Sequence, residues 1–229
     1  YLFLQYKQYR LLKYGLMGGI ALNIAFIFGT ESRGAFLGLL VLGGFYFLKS
    51  NRKGMVLTVI LAGSVVGLLL VDESWFNRMN TMDDLSDDQS FMHRVMSWKM
   101  HTLMALQDPL FGGGFDAASY WPQMLILRQD WDSLSFIESP YPDVGFAAHS
   151  IYFQLLGDVG FGGTTIYLLL LYSTYKGFRR IVKTSDVEML RNVSLYASLS
   201  ILSFLVAGAA LSAAYNEFIL MIVALYIGV

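Results

Sequence analysis

Long apolar runs separated by polar segments decide most of what this chain can become. They lie near residues 11 to 29, 34 to 48, 55 to 71, 159 to 176, 193 to 212 and 217 to the end. A helix needs about 20 predominantly apolar residues to cross a hydrocarbon core of about 30 Å. Inside lipid every backbone N–H and C=O must be paired within the protein, so runs of this kind predict helices rather than loops or open strands. The composition agrees, since 55% of residues are hydrophobic and 14% charged, whereas a soluble domain is roughly a quarter charged. The expected fold is all-α and integral to a membrane, with about six transmembrane helices. The runs at 34 to 48 and 55 to 71 are short, and Gly34, Gly38, Gly43 and Gly44 predict close helix packing there. The chain begins at Tyr1 and its last residue, Val229, falls inside an apolar run. It reads as a piece of a longer chain, without a secretory signal pattern at its start.

Basic residues set the expected orientation. Lys7, Arg10 and Lys13 precede the first run, Lys49, Arg52 and Lys53 follow the second, and Lys176, Arg179, Arg180, Lys183 and Arg191 follow the fourth. Cytoplasmic connections concentrate lysine and arginine, which leaves 30 to 33, 72 to 158 and 213 to 216 facing outward. Three regions follow: 1–71 with three spans, an extracytoplasmic insert at 72–148, and 149–229 with an interfacial helix and three further spans. Overall, 16 basic residues oppose 17 acidic ones, which gives no electrostatic case for a nucleic-acid partner.

An insert of this length exceeds what a helix connection needs and is where chemistry is expected. Asp83, Asp84, Asp87 and Asp88 lack the glycine and terminal glutamate of a calcium loop and read as a solvated acidic turn. From 91 to 106, Met92, Val95, Met96, Met100, Leu103 and Met104 recur at helical spacing, with Arg94, Ser97 and His101 on another face. This predicts an amphipathic helix lying near the membrane surface. Asp108 and Pro109 stop it, and Gly112 to Gly114 turn the chain. From His149 to Phe178 a single helix would run about 45 Å, too long for the hydrocarbon core. The simplest arrangement lays 150 to 157 along the outer interface, with Asp158 and Gly160 where the span begins. Asp158 then avoids the penalty of a carboxylate in mid-bilayer.

On this topology Arg33, Arg94, His149, Asp158 and Glu217 gather at one outer face. Arg33, in Thr30-Glu31-Ser32-Arg33-Gly34, sits on the side where arginine is disfavoured and needs an anion: a substrate, Glu31 or a lipid phosphate. Arg94 reads either as a headgroup-binding side chain or as a substrate cation. His149 opens an apolar helix as a cap or as an acid-base group. Asp158 is either a helix-end carboxylate or the partner that orients His149 or an arginine. Trp75, Tyr120, Trp121, Trp131 and Tyr141 crowd the insert as interfacial or loop-core aromatics, with sugar stacking as the functional alternative. The chain has no cysteine, and His93, His101 and His149 form no zinc-ligand pattern, so no metal site or cofactor is expected. Gly112 to Gly114 lacks the lysine of a phosphate-binding loop. No pair of aspartates in separate spans supports an intramembrane protease.

Several segments in order carry a resemblance: Ser32-Arg33-Gly34-Ala35, His93-Arg94 with Trp98, Asp108-Pro109-Leu110-Phe111-Gly112-Gly113-Gly114-Phe115, Ala148-His149-Ser150-Ile151-Tyr152-Phe153 and Gly157-Asp158-Val159-Gly160-Phe161. Together they resemble the O-antigen ligase and polymerase superfamily. The Ala-His-Ser-Ile-Tyr-Phe-Gln wording is most similar to the O-glycosylation ligases associated with exosortase systems. The resemblance implies a GT-C-like bundle, larger than this chain, in a bacterial cytoplasmic (inner) membrane with its active face outside. It implies transfer of a saccharide from an undecaprenyl-diphosphate carrier to an acceptor lipid, polysaccharide or protein. Arg33 and Arg94 correspond to the family's outer-face arginines and His149 to its histidine. Ser150 stands where many relatives have asparagine, and Asp158 where glutamate is common.

In such a transfer the diphosphate gains charge as it leaves. Arg33 and Arg94 would clamp it bidentately without a metal, while His149 takes the proton of the attacking hydroxyl. Direct attack inverts the anomeric centre, since no carboxylate nucleophile is placed for a double displacement. The competing reading is a transporter or flippase for a lipid-linked or anionic substrate. Such proteins usually set polar, broken-helix sites near the midplane rather than at one face.

Overall fold

The computed structural model describes residues 10–29, 33–50, 53–54, 57–58, 89–134 and 139–228. The expected span at 55 to 71, Glu31, Trp75 and the four aspartates at 83 to 88 lie wholly or mostly outside the described residues. Among the described residues the structure is all-helical, without a strand. The principal helices are α1 (Arg10–Gly29), α2 (Arg33–Lys49), α3 (Gln89–Gln107), α4 (Trp121–Asp130), α5 (Ile151–Thr184), α6 (Glu188–Gly208) and α7 (Glu217–Ile227). Two of them, α5 and α6, are long and apolar enough to cross a membrane, and shorter apolar stretches occupy Tyr14–Ile27, Leu37–Leu48 and Glu217–Ile227.

Local chemistry explains several boundaries. Glu188 and Glu217 lie in the first turns of α6 and α7, where the helix dipole favours an acid. Asn216 caps α7, its Oδ1 accepting the Phe218 N–H at 2.9 Å. Pro122 at the start of α4 removes an N–H that would have no helical partner. The run expected at 193 to 212 is shifted: α6 begins at Glu188 and ends at Gly208, where the chain turns.

The chain divides into two compact units, each with its own packing. The first comprises 1–76, 174–207 and 228–229. There α1 packs on α2, and Ser203 of α6 donates its hydroxyl to the Gly38 carbonyl at 3.2 Å. A Cβ on Gly38 would fall 2.9 Å from that Ser203 oxygen, so the crossing depends on small residues on both helices. Much of α1 is exposed, including Leu11, Ile20 and Phe26, which suits a lipid-facing helix.

The second unit comprises 77–173 and 208–227. Its core is built on α3: Met96, Met100, Leu103 and Met104 pack with Ala117, Ala118, Met124, Leu127 and Trp131, and Leu134, Tyr141 and Phe146 close the edge. Methionine suits such a junction because its unbranched thioether fills irregular gaps. The Trp131 indole N–H donates to the Ser139 carbonyl at 2.9 Å, and the Tyr141 hydroxyl donates to the Met124 carbonyl. Lys99 lies over the Trp131 ring at 4.6 Å. Trp131 and Tyr141 are therefore loop-core aromatics, whereas Tyr120 is exposed.

The helix expected at 91 to 106 is present as α3, and its polar face departs from a solvated one. The polar face of α3 is also covered, with Ser97 and His101 buried. Ser97 donates to the Ala147 carbonyl at 2.9 Å, and the His101 Nδ1 meets the Ser97 carbonyl at 2.7 Å. Polar side chains with internal partners can be buried without large penalty, so α3 is a central strut of the second unit.

Candidate functional site

The site-bearing segment begins where α3 grips the chain ahead of α5. The Trp98 indole N–H donates to the Ala148 carbonyl at 2.8 Å, and the Trp98 ring stacks on Phe153 at 5.0 Å. His93 stacks on Phe146 at 4.6 Å. With the Ser97 bond to Ala147, these contacts fix residues 146 to 148 along α3.

His149 follows directly and does not open the helix, as its position ahead of the apolar run had suggested. It sits at φ 50°, in the left-handed region, and α5 starts only at Ile151. That conformation costs a non-glycine residue on the order of 1 kcal/mol or more and persists where surrounding contacts impose it. Here the His149 N–H donates to the Ser212 hydroxyl at 2.6 Å. Five residues on, the Gln154 Oε1 accepts the Ala214 N–H at 3.1 Å. The His149 backbone is thus held between the segment bound to α3 and the turn after α6.

Arg94, one α3 turn before Trp98, is near enough to act on His149 through its charge. Burial, and then the charges of Arg94 and His93, push the His149 imidazole below its usual pKa. Desolvation and neighbouring cations both disfavour the imidazolium, so the ring favours its neutral, proton-accepting form. Among the described residues, no hydrogen bond or ion pair engages the Arg94 guanidinium.

A backbone junction positions the rest. At Gly160, φ 65° and ψ −172° interrupt α5. The interruption strands the carbonyls of Gly157 and Asp158 and the N–H groups of Phe161 and Gly162, which would otherwise pair with each other four residues apart. The loop after α3 takes them all: Gly113 N–H donates to the Gly157 carbonyl at 2.7 Å, Gly114 N–H to Asp158 at 3.0 Å, and Phe161 and Gly162 donate to the Pro109 carbonyl at 2.8 and 3.4 Å. The approach needs glycine, because a Cβ on Gly112 would fall 2.5 Å from the Gly157 oxygen and one on Gly160 2.7 Å from the Pro109 oxygen.

Asp158 lies at this junction and is buried. Its Oδ2 accepts the Tyr215 hydroxyl at 3.1 Å, and its carboxylate accepts the Asp116 backbone N–H. Burial, and then the Asp158 charge, hold the Tyr215 phenol protonated by raising its pKa. These bonds tie Asp158 to Tyr215 and Asp116; none joins it to His149 or an arginine. Arg33 is the first residue of α2 and belongs to the first unit; its side chain is not among the described atoms. The second unit therefore brings together Arg94 and His149, with Asp158 at the junction below. Ser212 and Tyr215 had no functional signal in the sequence, because each acts through a hydrogen bond to a residue far away along the chain.

Described residues that are all helical, two of their helices long and apolar enough to cross a bilayer, mark an integral membrane protein. The family model for O-antigen ligase matches residues 18–168, well over half the chain, a range that includes Arg33, Arg94, His149 and Asp158. The chain belongs to the O-antigen ligase family and is a membrane glycan ligase of glycosyltransferase type. Comparisons with curated proteins and with solved structures found no match.

Proposed function

We propose that this ligase transfers a saccharide from an undecaprenyl-diphosphate carrier to an acceptor hydroxyl, at the outer face of a bacterial cytoplasmic membrane that the chain crosses about six times. The observation that carries the reading is His149, set in a left-handed turn, its pKa lowered by burial and the neighbouring Arg94 charge. His149 takes the proton of the acceptor hydroxyl as its oxygen attacks the anomeric carbon. The bond from that carbon to the diphosphate oxygen breaks on the opposite side, so the configuration inverts. Arg94 receives the charge that develops on the departing diphosphate, and Arg33 is the second guanidinium of the clamp. Charge-assisted hydrogen bonds of this kind contribute about 1.5 to 3 kcal/mol each, which lets two guanidinium groups serve where other transferases use a metal ion. Asp158 serves the substrate indirectly, by holding the Asp116 loop and Tyr215 against the start of the α5 span. The acceptor is a lipid, a polysaccharide or, as the exosortase-associated wording suggests, a protein hydroxyl.

The test is transfer by purified full-length protein in proteoliposomes supplied with lipid-linked glycan, measured as release of the free polyprenyl diphosphate. Arg94→Ala and His149→Ala are each expected to lower turnover by about a hundredfold or more, by analogy with lost oxyanion donors. Activity that survives chelation of divalent metals supports the arginine clamp. Near-normal transfer by both variants removes this chemistry, and passage of intact substrate across the bilayer without cleavage would establish a transporter instead.

A further inference from the structure

The loop that docks on α5 also frames an open depression of about 380 Å³, lined by Gly113, Phe115, Asp116, Ala117, Ser119 and Tyr120. Two of its aromatic rings are presented outward, Phe115 at 71% and Tyr120 at 64% exposure. Between them Asp116 Oδ1 accepts the Ser119 hydroxyl at 3.0 Å, which leaves Oδ2 available to a further donor. The backbone beneath is anchored at one point: Asp116 takes φ 58°, and its N–H is held by the Asp158 carboxylate.

The chemistry of this surface selects its occupant. A carboxylate at the centre repels a diphosphate and is costly against hydrocarbon, so neither the carrier's phosphates nor its lipid tail suits it. A sugar ring presents a flat face of C–H bonds and a rim of hydroxyl donors. The first matches an exposed aromatic ring, and the second matches a carboxylate that accepts charge-assisted bonds. The depression also adjoins the segment that fixes His149. Phe115 meets the Tyr215 ring at 5.0 Å, and Ser212, three residues earlier, holds the His149 N–H.

We propose that this depression is a saccharide subsite: Tyr120 stacks on a sugar ring, and Asp116 and Ser119 take its hydroxyls. The sugar comes either from the glycan of the donor or from a sugar-bearing acceptor. The assignment of this site to the transfer rests on the ligase reading above, whereas saccharide binding itself does not.

The test uses full-length protein in nanodiscs with two probes, the oligosaccharide cleaved from the cell's lipid-linked glycan and the saccharide portion of the acceptor. Saturation-transfer NMR reads binding, and the transfer assay reads the KM of each substrate. Tyr120→Ala is expected to weaken binding of one probe and raise the matching KM on the order of tenfold, with a smaller effect on kcat. Tyr120→Phe keeps the stacking ring and restores both readouts, and Asp116→Asn weakens the same probe. A change confined to the donor assigns the sugar to the glycan, and a change confined to the acceptor assigns it there. Unchanged binding and KM for both in Tyr120→Ala, or a loss of kcat alone, overturns the subsite. Absence of transfer by the wild type would instead sink the ligase reading, with the NMR comparison still deciding saccharide binding.

Discussion

Helix α3 and the part of α5 beyond Gly160 reverse the usual relation between hydrophobicity and burial. Helix α3 carries Ser97, Lys99 and His101 in its middle turns and buries all three beside Met100, Leu103 and Met104. The α5 stretch runs Ile166-Tyr167-Leu168-Leu169-Leu170-Leu171-Tyr172, yet leaves Ile166 at 70% and Leu169 at 58% exposure. The difference is the one that water around α3 and lipid around this part of α5 would produce. In water, removing apolar surface drives packing, and α3 assembles a core as a soluble domain does. In lipid there is no such gain between helices, so contacts rest on small residues and hydrogen bonds, such as the Tyr167 hydroxyl donating to the Ala214 carbonyl at 2.5 Å. Hydropathy therefore marks the medium around a helix, not how tightly it is packed.

The largest effect is expected at the junction between these regions. Gly160→Val places a β-branched side chain at a positive φ and a Cβ 2.7 Å from the Pro109 oxygen, and displaces the loop bonds around it. A loss of about 4 kcal/mol or more is expected, read as little monodisperse protein after extraction in detergent. Gly18→Ala in α1, where nothing lies within 4 Å of the new Cβ, leaves the yield unchanged. Equal losses in both would remove the special role of the junction.

The next effect separates the two solvents directly. Met100 is fully buried and Ile166 is not. Met100→Ala is expected to cost about 2 to 4 kcal/mol, and Ile166→Ala less than about 0.5 kcal/mol, compared by thermal unfolding in one detergent. A similar fall in both would mean that the α5 face is packed rather than lipid-facing. A smaller effect is expected for Trp98→Phe, which keeps an aromatic ring against Phe153 but loses the indole N–H to Ala148. Leaving that carbonyl unpaired costs about 1 to 3 kcal/mol. Transfer should fall by more than the fraction unfolded accounts for, because Ala148 immediately precedes His149.

What could be read in advance follows the same division. Two helices long enough to cross a membrane were legible from apolar length, and the family from short motifs in order, because both depend on residues close together in the chain. The core around α3 was not. Met100 shares a core with Trp131 only because the chain reverses after Asp108, and helical periodicity of the 91 to 106 segment is the same whether one face or both are covered. Gly112 to Gly114 read as a turn, but its partners, the stranded groups around Gly160, lie nearly fifty residues later. That Arg94 and His149 fall near one another was an expectation of the topology, and the Arg94 charge does act on His149. The left-handed turn at His149 was not, since it depends on Ser212, a serine with no pattern around it.

The smallest expected effect is a shift in pH dependence, which sets His149 against His101. Burial lowers the pKa of both, but only His149 also faces the Arg94 and His93 charges on its flank. If neutral His149 is the base, kcat/KM falls as pH drops through its folded pKa. Arg94→Gln removes one cause of the lowering, so the acid limb of the residual activity moves to higher pH. A limb that stays in place would separate Arg94 from the base. His101 is buried in α3 and its effect appears in stability instead. Its folded pKa lies below the unfolded value of about 6.5, so the unfolded chain binds more protons in that range and stability falls as pH decreases below it. His101→Gln should flatten that stability slope without moving the limb of the rate profile, which ties one histidine to the water-type core and the other to the chemistry.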